Sequence, residues 1–189
     1  MSEARYVTPF LADTGEICRR VRSRLDDARP VRSGVRPARH ALDRRTTIHL
    51  LNDLLAAEAL CVLRLRRQPT LVDGSRPGLA GRRALDHAAD EQRHVDLLTH
   101  RIRQLGGEPT LPRSGPTRER PGVPTATDLL REDLAAERLA IETYRDVIAQ
   151  FEEGDPVTRR LLTRILADEE DHAAEVRQLL VSIDPTRPI

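Results

Sequence analysis

The sequence has no lysine and no tryptophan, and among its 189 residues there are only two phenylalanines, two tyrosines, one methionine and two cysteines. With so few aromatic side chains, a core has to be built from Leu, Ala, Val and Ile, in a composition that favours helices. Cys18 and Cys61 are too few for a disulfide framework. No Cys-x-x-Cys pair is present, which excludes a rubredoxin-type or zinc-ribbon metal site.

The chain also lacks an excess of either charge and any long apolar run. Its formal net charge is +1, so it has no overall attraction to nucleic acid or to acidic membranes. No stretch of eighteen apolar residues occurs, and residues 1–16 contain no apolar segment of signal-peptide length. We therefore expect a soluble, cytoplasmic protein with one folded domain.

Four long stretches carry apolar residues at 3.6-residue spacing, which predicts amphipathic helices. They cover residues 42–67, 79–105, 128–152 and a segment that begins at Pro156 with Asp155 as its N-cap. Gly106 and Gly107 predict the end of the second helix, because glycine readily adopts the left-handed conformation of a helix C-cap. Thr125 with Asp128, or Thr127 alone, is predicted to cap the third.

The lengths of the connections predict the topology. The first and second helices, and likewise the third and fourth, are joined by links short enough for antiparallel neighbours, whereas residues 106–127 form a long crossing rich in Pro and Gly. The predicted fold is an all-α four-helix bundle of two antiparallel hairpins joined by this crossover. We divide the chain into an Arg-rich N-terminal extension over 1–41 with a possible short helix, the bundle over 42–182, and a short tail over 183–189.

Each predicted helix has a glutamate in the middle of its apolar stripe, and the rise of 1.5 Å per residue puts the four at similar depths. The second and fourth helices add a histidine three residues later, on the same face. The candidate site residues are Glu58, Glu91, His94, Glu137, Glu169 and His172. Glutamates from four helices with two Glu-x-x-His pairs are the arrangement of di-iron and di-manganese carboxylate bundles.

A simpler interpretation is that one Glu-x-x-His is a surface ion pair and that a single stripe glutamate reaches solvent or an arginine. Burying four carboxylates at one depth in an aliphatic core would cost roughly several kcal/mol of folding free energy for each one left unpaired. No buried cation is evident in the four stripes, so the conjunction indicates a metal centre. Oxygen-rich ligands with two imidazoles favour iron or manganese over zinc.

Three segments carry a resemblance to a known family: Asp90-Glu91-Gln92-Arg93-His94, Asp133-Leu134-Ala135-Ala136-Glu137 and Asp168-Glu169-Glu170-Asp171-His172. They resemble the ligand motifs of bacterioferritins, in the ferritin-like superfamily, and Leu51-Asn52 with Glu58 is similar to their first helix. The resemblance covers about residues 46–182. It implies a ferroxidase of iron homeostasis and storage that binds two iron ions per subunit, manganese being possible, and oxidises Fe(II) with O2 or H2O2. It also implies that Glu91 and Glu169 bridge the ions, that Glu58 and Glu137 are terminal, and that His94 and His172 bind one ion each.

The chain departs from that family at several points. Bacterioferritins bind haem through a methionine directly after the second-helix glutamate, where this chain has Gln92, so we expect no haem. Only residues 184–189 follow the last helix, which leaves the short fifth helix of storage cages without a counterpart. Bacterioferritins carry an aromatic residue near the site on the first helix, and this chain has Leu65 or one of its neighbours there instead. Tyr144 either takes its place as an electron donor or is a core tyrosine bonded to a carboxylate.

Several weaker features complete the expectations. We interpret His87 and His100 as surface residues and Cys61 as a small buried hydrophobe. Apolar residues on the outer faces of the first two helices predict a homo-oligomer, at least a dimer. They are Leu50, Leu54, Leu60 and Leu63.

The N-terminal arginines could bind phosphates of nucleic acid, but they alternate with acidic residues, which favours a solvated or subunit-packing extension. They are Arg19, Arg20, Arg22, Arg24, Arg29, Arg32, Arg36 and Arg39. The alternative functions are a rubrerythrin-like or catalase-like peroxide-detoxifying protein and a DNA-protecting module of the Dps type. Against the Dps type, whose ligands are shared between subunits, one chain here holds all six candidates.

Overall fold

A computed structural model of the chain describes residues 9–27, 42–72, 78–111, 124–151 and 154–183. These residues form five helices, a short 3-10 turn and no strand. The helices are α1 (Pro9–Asp27), α2 (Arg44–Val72), α3 (Leu79–Gln104), α4 (Ala126–Ile148) and α5 (Pro156–Ile183), and the 3-10 turn is Ala149–Phe151. The four predicted bundle helices are α2 to α5, and the all-α bundle fold is confirmed.

The end of α2 differs most from the prediction, because the helix continues five residues beyond Arg67 and through Pro69. Proline removes one main-chain hydrogen bond, which predicts a helix end. In the turn before it, however, Leu65 and Gln68 are buried, and Gln68 Nε2 donates to Asp133 Oδ1 on α4 at 2.5 Å. This packing holds the last turns of α2 in place.

The residues predicted to cap the helices form the hydrogen bonds of these caps in the structure. Gly106 has a φ of +69°, and its N–H donates to the carbonyl of Arg103 at 2.8 Å, while the Gly107 N–H donates to the carbonyl of Ile102 at 2.9 Å. This is the pattern of a Schellman C-cap. At the start of α4, Thr125 and Asp128 form a reciprocal capping box.

Asp155 both caps α5 and links it to α3. Its Oδ1 accepts the N–H of Thr158 at 3.0 Å, and its two carboxylate oxygens accept bonds from Arg101 at 2.9 and 2.8 Å. On the other hairpin, the Asn52 amide donates to the carbonyl of Glu108, and its oxygen accepts the N–H of Thr110. The first residues of the crossover are thereby fixed against α2.

The N-terminal helix α1 packs on the bundle against α2 and α4. Ile17, Val21 and Leu25 are buried in the same core cluster as Leu50 and Leu54. The expectation that Leu50 and Leu54 form an exposed outer face is therefore wrong, because they lie in a core that α1 completes. Leu63 remains 52% exposed.

Three arginines of α1 are paired with acidic residues of the bundle. Arg20 and Arg24 contact the two oxygens of the buried Asp53 at 2.8 and 2.6 Å, and Arg22 contacts Glu142 at 2.9 Å. Since a paired guanidinium is less available to phosphates, this packing weakens the nucleic-acid hypothesis. Arg19 is exposed, and the other tail arginines, Arg29, Arg32, Arg36 and Arg39, lie outside the described residues.

None of the described helices is apolar over a stretch long enough to cross a bilayer.

Candidate metal centre

All six candidate residues are buried and come together in the middle of the bundle. Their ligand atoms form two clusters in which all members lie within 4.8 Å of one another. The first cluster consists of Glu58, Glu91, His94 and Glu169, and the second of Glu91, Glu137, Glu169 and His172. The two clusters share Glu91 and Glu169, which are the residues that the resemblance assigns as bridges.

In the first cluster, the His94 ring directs one nitrogen at three carboxylates. Nδ1 lies 3.4 Å from Glu58 Oε2, 3.2 Å from Glu91 Oε2 and 3.1 Å from Glu169 Oε1. The other nitrogen, Nε2, lies 3.2 Å from Asp168 Oδ2 near the surface. A metal-binding histidine typically donates its second N–H to such a carboxylate, which orients the ring.

The second cluster repeats this arrangement. His172 Nδ1 lies 3.4 Å from Glu91 Oε1 and 3.9 Å from Glu169 Oε2, and Nε2 lies 3.2 Å from Asp90 Oδ2. Sequence analysis assigned no role to Asp90 and Asp168. Each directly precedes the glutamate of a Glu-x-x-His pair and serves the histidine on the other helix, so the repeated Asp-Glu-x-x-His pattern was the available signal.

Several buried atoms facing the centre have no hydrogen-bond partner among the residues that the structure describes. They are Glu91 Oε1, Glu137 Oε1 and Oε2, Glu169 Oε1 and His172 Nδ1. Leaving buried polar atoms unsatisfied costs roughly 1–3 kcal/mol each, more for charged groups. Carboxylate oxygens and imidazole nitrogens in this number fit two divalent cations of the iron or manganese type.

The clustered glutamates perturb one another. Burial, then repulsion from Glu91, raises the pKa of Glu58 to about 8, and the same two causes raise the pKa values of Glu137 and Glu169. Burial opposes the charge of Glu91 as well, but the nearby imidazoles of His172 and His94 hold its pKa below the usual range. The metal-free cluster thus retains protons, which bound cations would displace.

The pKa values of the two cluster histidines, His94 and His172, are raised, although burial alone would lower them. The carboxylates Glu169, Glu58 and Glu91 nevertheless raise the pKa of His94, and Glu91 with Glu137 raises that of His172 to about 9. The surrounding carboxylates therefore favour the charged form of both imidazoles in the metal-free protein.

Tyr144 supports Glu58 directly. Its hydroxyl donates a hydrogen bond to Glu58 Oε1, and its side chain is only 1% exposed. Burial, with Glu58 next, raises the pKa of Tyr144 well above the usual range, so the phenol stays neutral and acts as a donor. This geometry agrees with the hypothesis of a core tyrosine bonded to a carboxylate.

Arg64 is a buried cation beside Glu137, and the expectation that the stripes contain none is wrong. Its Nε lies 3.3 Å from Asp133 Oδ1, and its Nη2 lies 3.9 Å from Glu137 Oε1. Burial raises the pKa of Asp133 to about 6, and the charge of Arg64 limits that rise. Sequence analysis missed this group because Arg64, six residues after Glu58, looked like one more of many helical arginines.

His87 is buried as well, so its interpretation as a surface residue is wrong, whereas His100 is exposed as expected. The His87 ring stacks on His172 with centroids 4.3 Å apart, and its Nε2 lies 3.0 Å from Glu175 Oε2. Burial, then His172, lowers the pKa of His87 to about 4, which keeps this ring neutral. The signal was its position four residues before Glu91, on the same helical face.

Cys61 is buried as predicted, and burial raises the pKa of its thiol well above the usual range. With Cys18 it lines a small cavity between α1 and the bundle, next to Glu58 and Tyr144. The thiols are absent from both clusters.

The sequence of residues 48–185 matches the family of the ferritin-like domain. The chain belongs to the ferritin-like family. A bacterioferritin of Desulfovibrio desulfuricans is 37% identical over 86 residues, which are 45% of this chain and 46% of that protein. The chain therefore spans about half the length of the curated relatives it matches.

Solved ferritin-like structures superpose over a larger part. The structure of the D. desulfuricans bacterioferritin, which describes its diiron site in different catalytic states, has a TM-score of 0.67 and 28% identity, covering 76% of this chain and 82% of that one. A bacterioferritin-related protein of Bacteroides fragilis, described as a dodecameric thioferritin, has a TM-score of 0.67 and 26% identity, covering 76% and 89%. The bacterioferritin of Rhodobacter capsulatus, with haem iron, has a TM-score of 0.65 and 27% identity, covering 79% and 91%.

Proposed function

We propose that this ferritin-like chain is a ferroxidase that binds two Fe(II) ions in its two clusters and oxidises them with O2 or H2O2, in the service of iron storage. The observation that carries the proposal is the sharing of Glu91 and Glu169 between two otherwise separate sets of ligand atoms. A carboxylate with one oxygen in each set holds two cations close together, as a two-electron reaction at paired metals requires.

The charges of the centre support divalent occupants. The four glutamates carry four negative charges when ionised, and two divalent cations balance them. Arg64 and Asp133 form a nearby pair of opposite charge and leave that balance unchanged. Mn(II) suits the same oxygen and imidazole donors, so it remains a second candidate for the metal.

In this proposal Fe(II) is the substrate, and two ions give one electron each to the oxidant. With O2 as oxidant, two protons are taken up and H2O2 is formed. With H2O2 as oxidant, two protons are taken up and two waters are formed. The chain binds the ions through Glu58, Glu137 and the shared glutamates. Asp168 and Asp90 hold His94 and His172 with Nδ1 turned inward. Cluster protons are released when the ions bind.

Assembly, haem and location remain predictions. The exposed Leu63, together with the dodecameric assembly of the B. fragilis protein, supports a homo-oligomer. Gln92 donates to Asp96 within its own helix at 3.2 Å, and its amide lacks the thioether that a haem iron would need. No observation favours the peroxide-detoxifying or Dps-type alternatives, and all six proposed ligands of one centre come from one chain.

Metal binding and rapid Fe(II) oxidation by purified protein test this proposal. We expect two Fe(II) ions per chain under anaerobic conditions, and oxidation in air much faster than in buffer. Glu91→Ala should reduce that rate by about tenfold or more, because a shared ligand affects both positions. Glu58→Ala or Glu137→Ala should weaken mainly one of them.

His100→Ala is the matched control, since it removes an exposed histidine from the same helix. The stabilisation that Fe(II) or Mn(II) gives the folded protein should shrink in Glu91→Ala and persist in the control. Unchanged oxidation and unchanged metal-dependent stabilisation in Glu91→Ala would refute the assignment.

A further inference from the structure

His87 lies one helical turn before Glu91, and the proposed ferroxidase site does not use it. Its side chain is almost completely buried, and one ligand atom each from His87, Glu137 and His172 lie within 4.8 Å of one another. We propose that His87 is an additional imidazole ligand of the metal bound in the second cluster. This inference rests on the proposed function and adds a residue to the same centre.

The orientation of the ring supports this role. In each of the three histidines buried in the described residues, Nε2 lies against a carboxylate at the edge of the centre. The distance is 3.2 Å from Asp168 for His94, 3.2 Å from Asp90 for His172 and 3.0 Å from Glu175 for His87. When Nε2–H donates to a carboxylate, a neutral ring presents its lone pair at Nδ1. A carboxylate on the second nitrogen is the usual setting of a metal-binding histidine.

The stacking of His87 on His172 offers a competing explanation, in which His87 only orients its neighbour. If His87 only packed against His172, any flat ring would be sufficient. A carboxylate beside its second nitrogen would not be needed. Both oxygens of Glu137, however, have no hydrogen-bond partner in the described part of the chain, and one of them lies within 4.8 Å of a ring nitrogen of His87. A cation would satisfy the carboxylate and the imidazole together.

A third histidine makes the two metal positions unequal. The first cluster offers one imidazole, and the second would offer two. Nitrogen donors strengthen the binding of later first-row divalent metals more than that of manganese. The second position should therefore bind Co(II) more tightly than the first, and the difference should depend on His87.

The test is calorimetric and spectroscopic titration of the metal-free full chain with Co(II), which reports ligands without turnover. Wild-type protein should bind two ions in separable steps. His87→Phe, which keeps a flat ring for stacking, should weaken one step by roughly tenfold or more and change the visible spectrum of that ion. His100→Phe, on the exposed face of α3, should leave both steps unchanged.

Two further variants keep the test decisive. His87→Gln avoids the larger ring if His87→Phe folds poorly, and Glu175→Gln should cause a smaller loss at the same step. Wild-type affinities and spectra in both His87 variants would overturn the inference and assign His87 to packing. If the wild-type chain itself bound no pair of Co(II) ions, the proposed function would fail, independently of residue 87.

Discussion

The two clusters of candidate ligands, which are the two ends of the candidate metal centre, share Glu91 and Glu169 but are supported by different chemistry. At the first end, Glu58 accepts a hydrogen bond from the neutral phenol of Tyr144. At the second, Glu137 faces the guanidinium of Arg64 at 3.9 Å, beside His87. One of the two unshared carboxylates is thus held by a neutral donor and the other by a buried charge.

Equivalent ligand motifs therefore do not make equivalent sites. Helix geometry places Glu58 and Glu137 at one depth, but the residues one or two turns away decide how each carboxylate is stabilised before a metal binds. A formal charge beside Glu137 reduces the repulsion among the glutamates more than a phenol can. We therefore expect the second end to depend on charge and the first on hydrogen bonding.

The largest expected effect is that of Arg64→Met on the metal-free protein. The substitution leaves Asp133 and Glu137 without their buried cation, and breaking such a pair costs about 3–5 kcal/mol. Chemical denaturation should show that loss, and added Mn(II) should reduce it by restoring positive charge near Glu137. Arg66→Met, at an exposed position of α2, is the control. A loss of equal size in both variants would contradict the charge argument.

The sequence was sufficient to predict the parts of the molecule that follow from periodicity and spacing. Helix caps depend only on residues that are close in sequence, so capping preferences were sufficient to predict them. Examples are the N-caps at Thr125 and Asp155 and the C-cap at Gly106. Arg64 and His87 were missed because their burial depends on which helix faces each side chain. The packing of α1 was missed for the same reason, since amphipathic spacing indicates an apolar face but no partner for it.

Glu58→Gln should have the next largest effect, a stabilisation of the metal-free protein at high pH. Burial and Glu91 raise the folded pKa of Glu58 to about 8, above the ordinary 4.5, so this group favours the folded state when protonated. Its contribution falls as pH rises from about 4.5 to 8. Glutamine keeps an oxygen that can accept the hydrogen bond from Tyr144, but it loses the contact of the charged carboxylate with His94. The net gain in the free energy of unfolding should be roughly 2 kcal/mol.

The measurement for Glu58→Gln is the difference in unfolding free energy from the wild type at pH 5 and at pH 8.5. We expect the difference to grow with pH. A difference that is constant across this range would mean that Glu58 titrates normally in the folded chain and that the first end does not strain the bundle.

The smallest expected effect is that of Tyr144→Phe, which removes one hydroxyl and keeps the ring. Loss of a single buried hydrogen bond to Glu58 should cost about 1 kcal/mol in the metal-free protein. If Tyr144 only positions the carboxylate, binding of the first-cluster metal should weaken slightly, while the number of electrons delivered per oxidant stays the same. If the phenol also serves as an electron donor, the variant should show the same loss of stability and should in addition deliver fewer electrons in a single turnover at substoichiometric iron. Parallel denaturation and stopped-flow measurements on the same preparation separate these outcomes, and they show whether the neutral end of the centre serves the fold or the reaction.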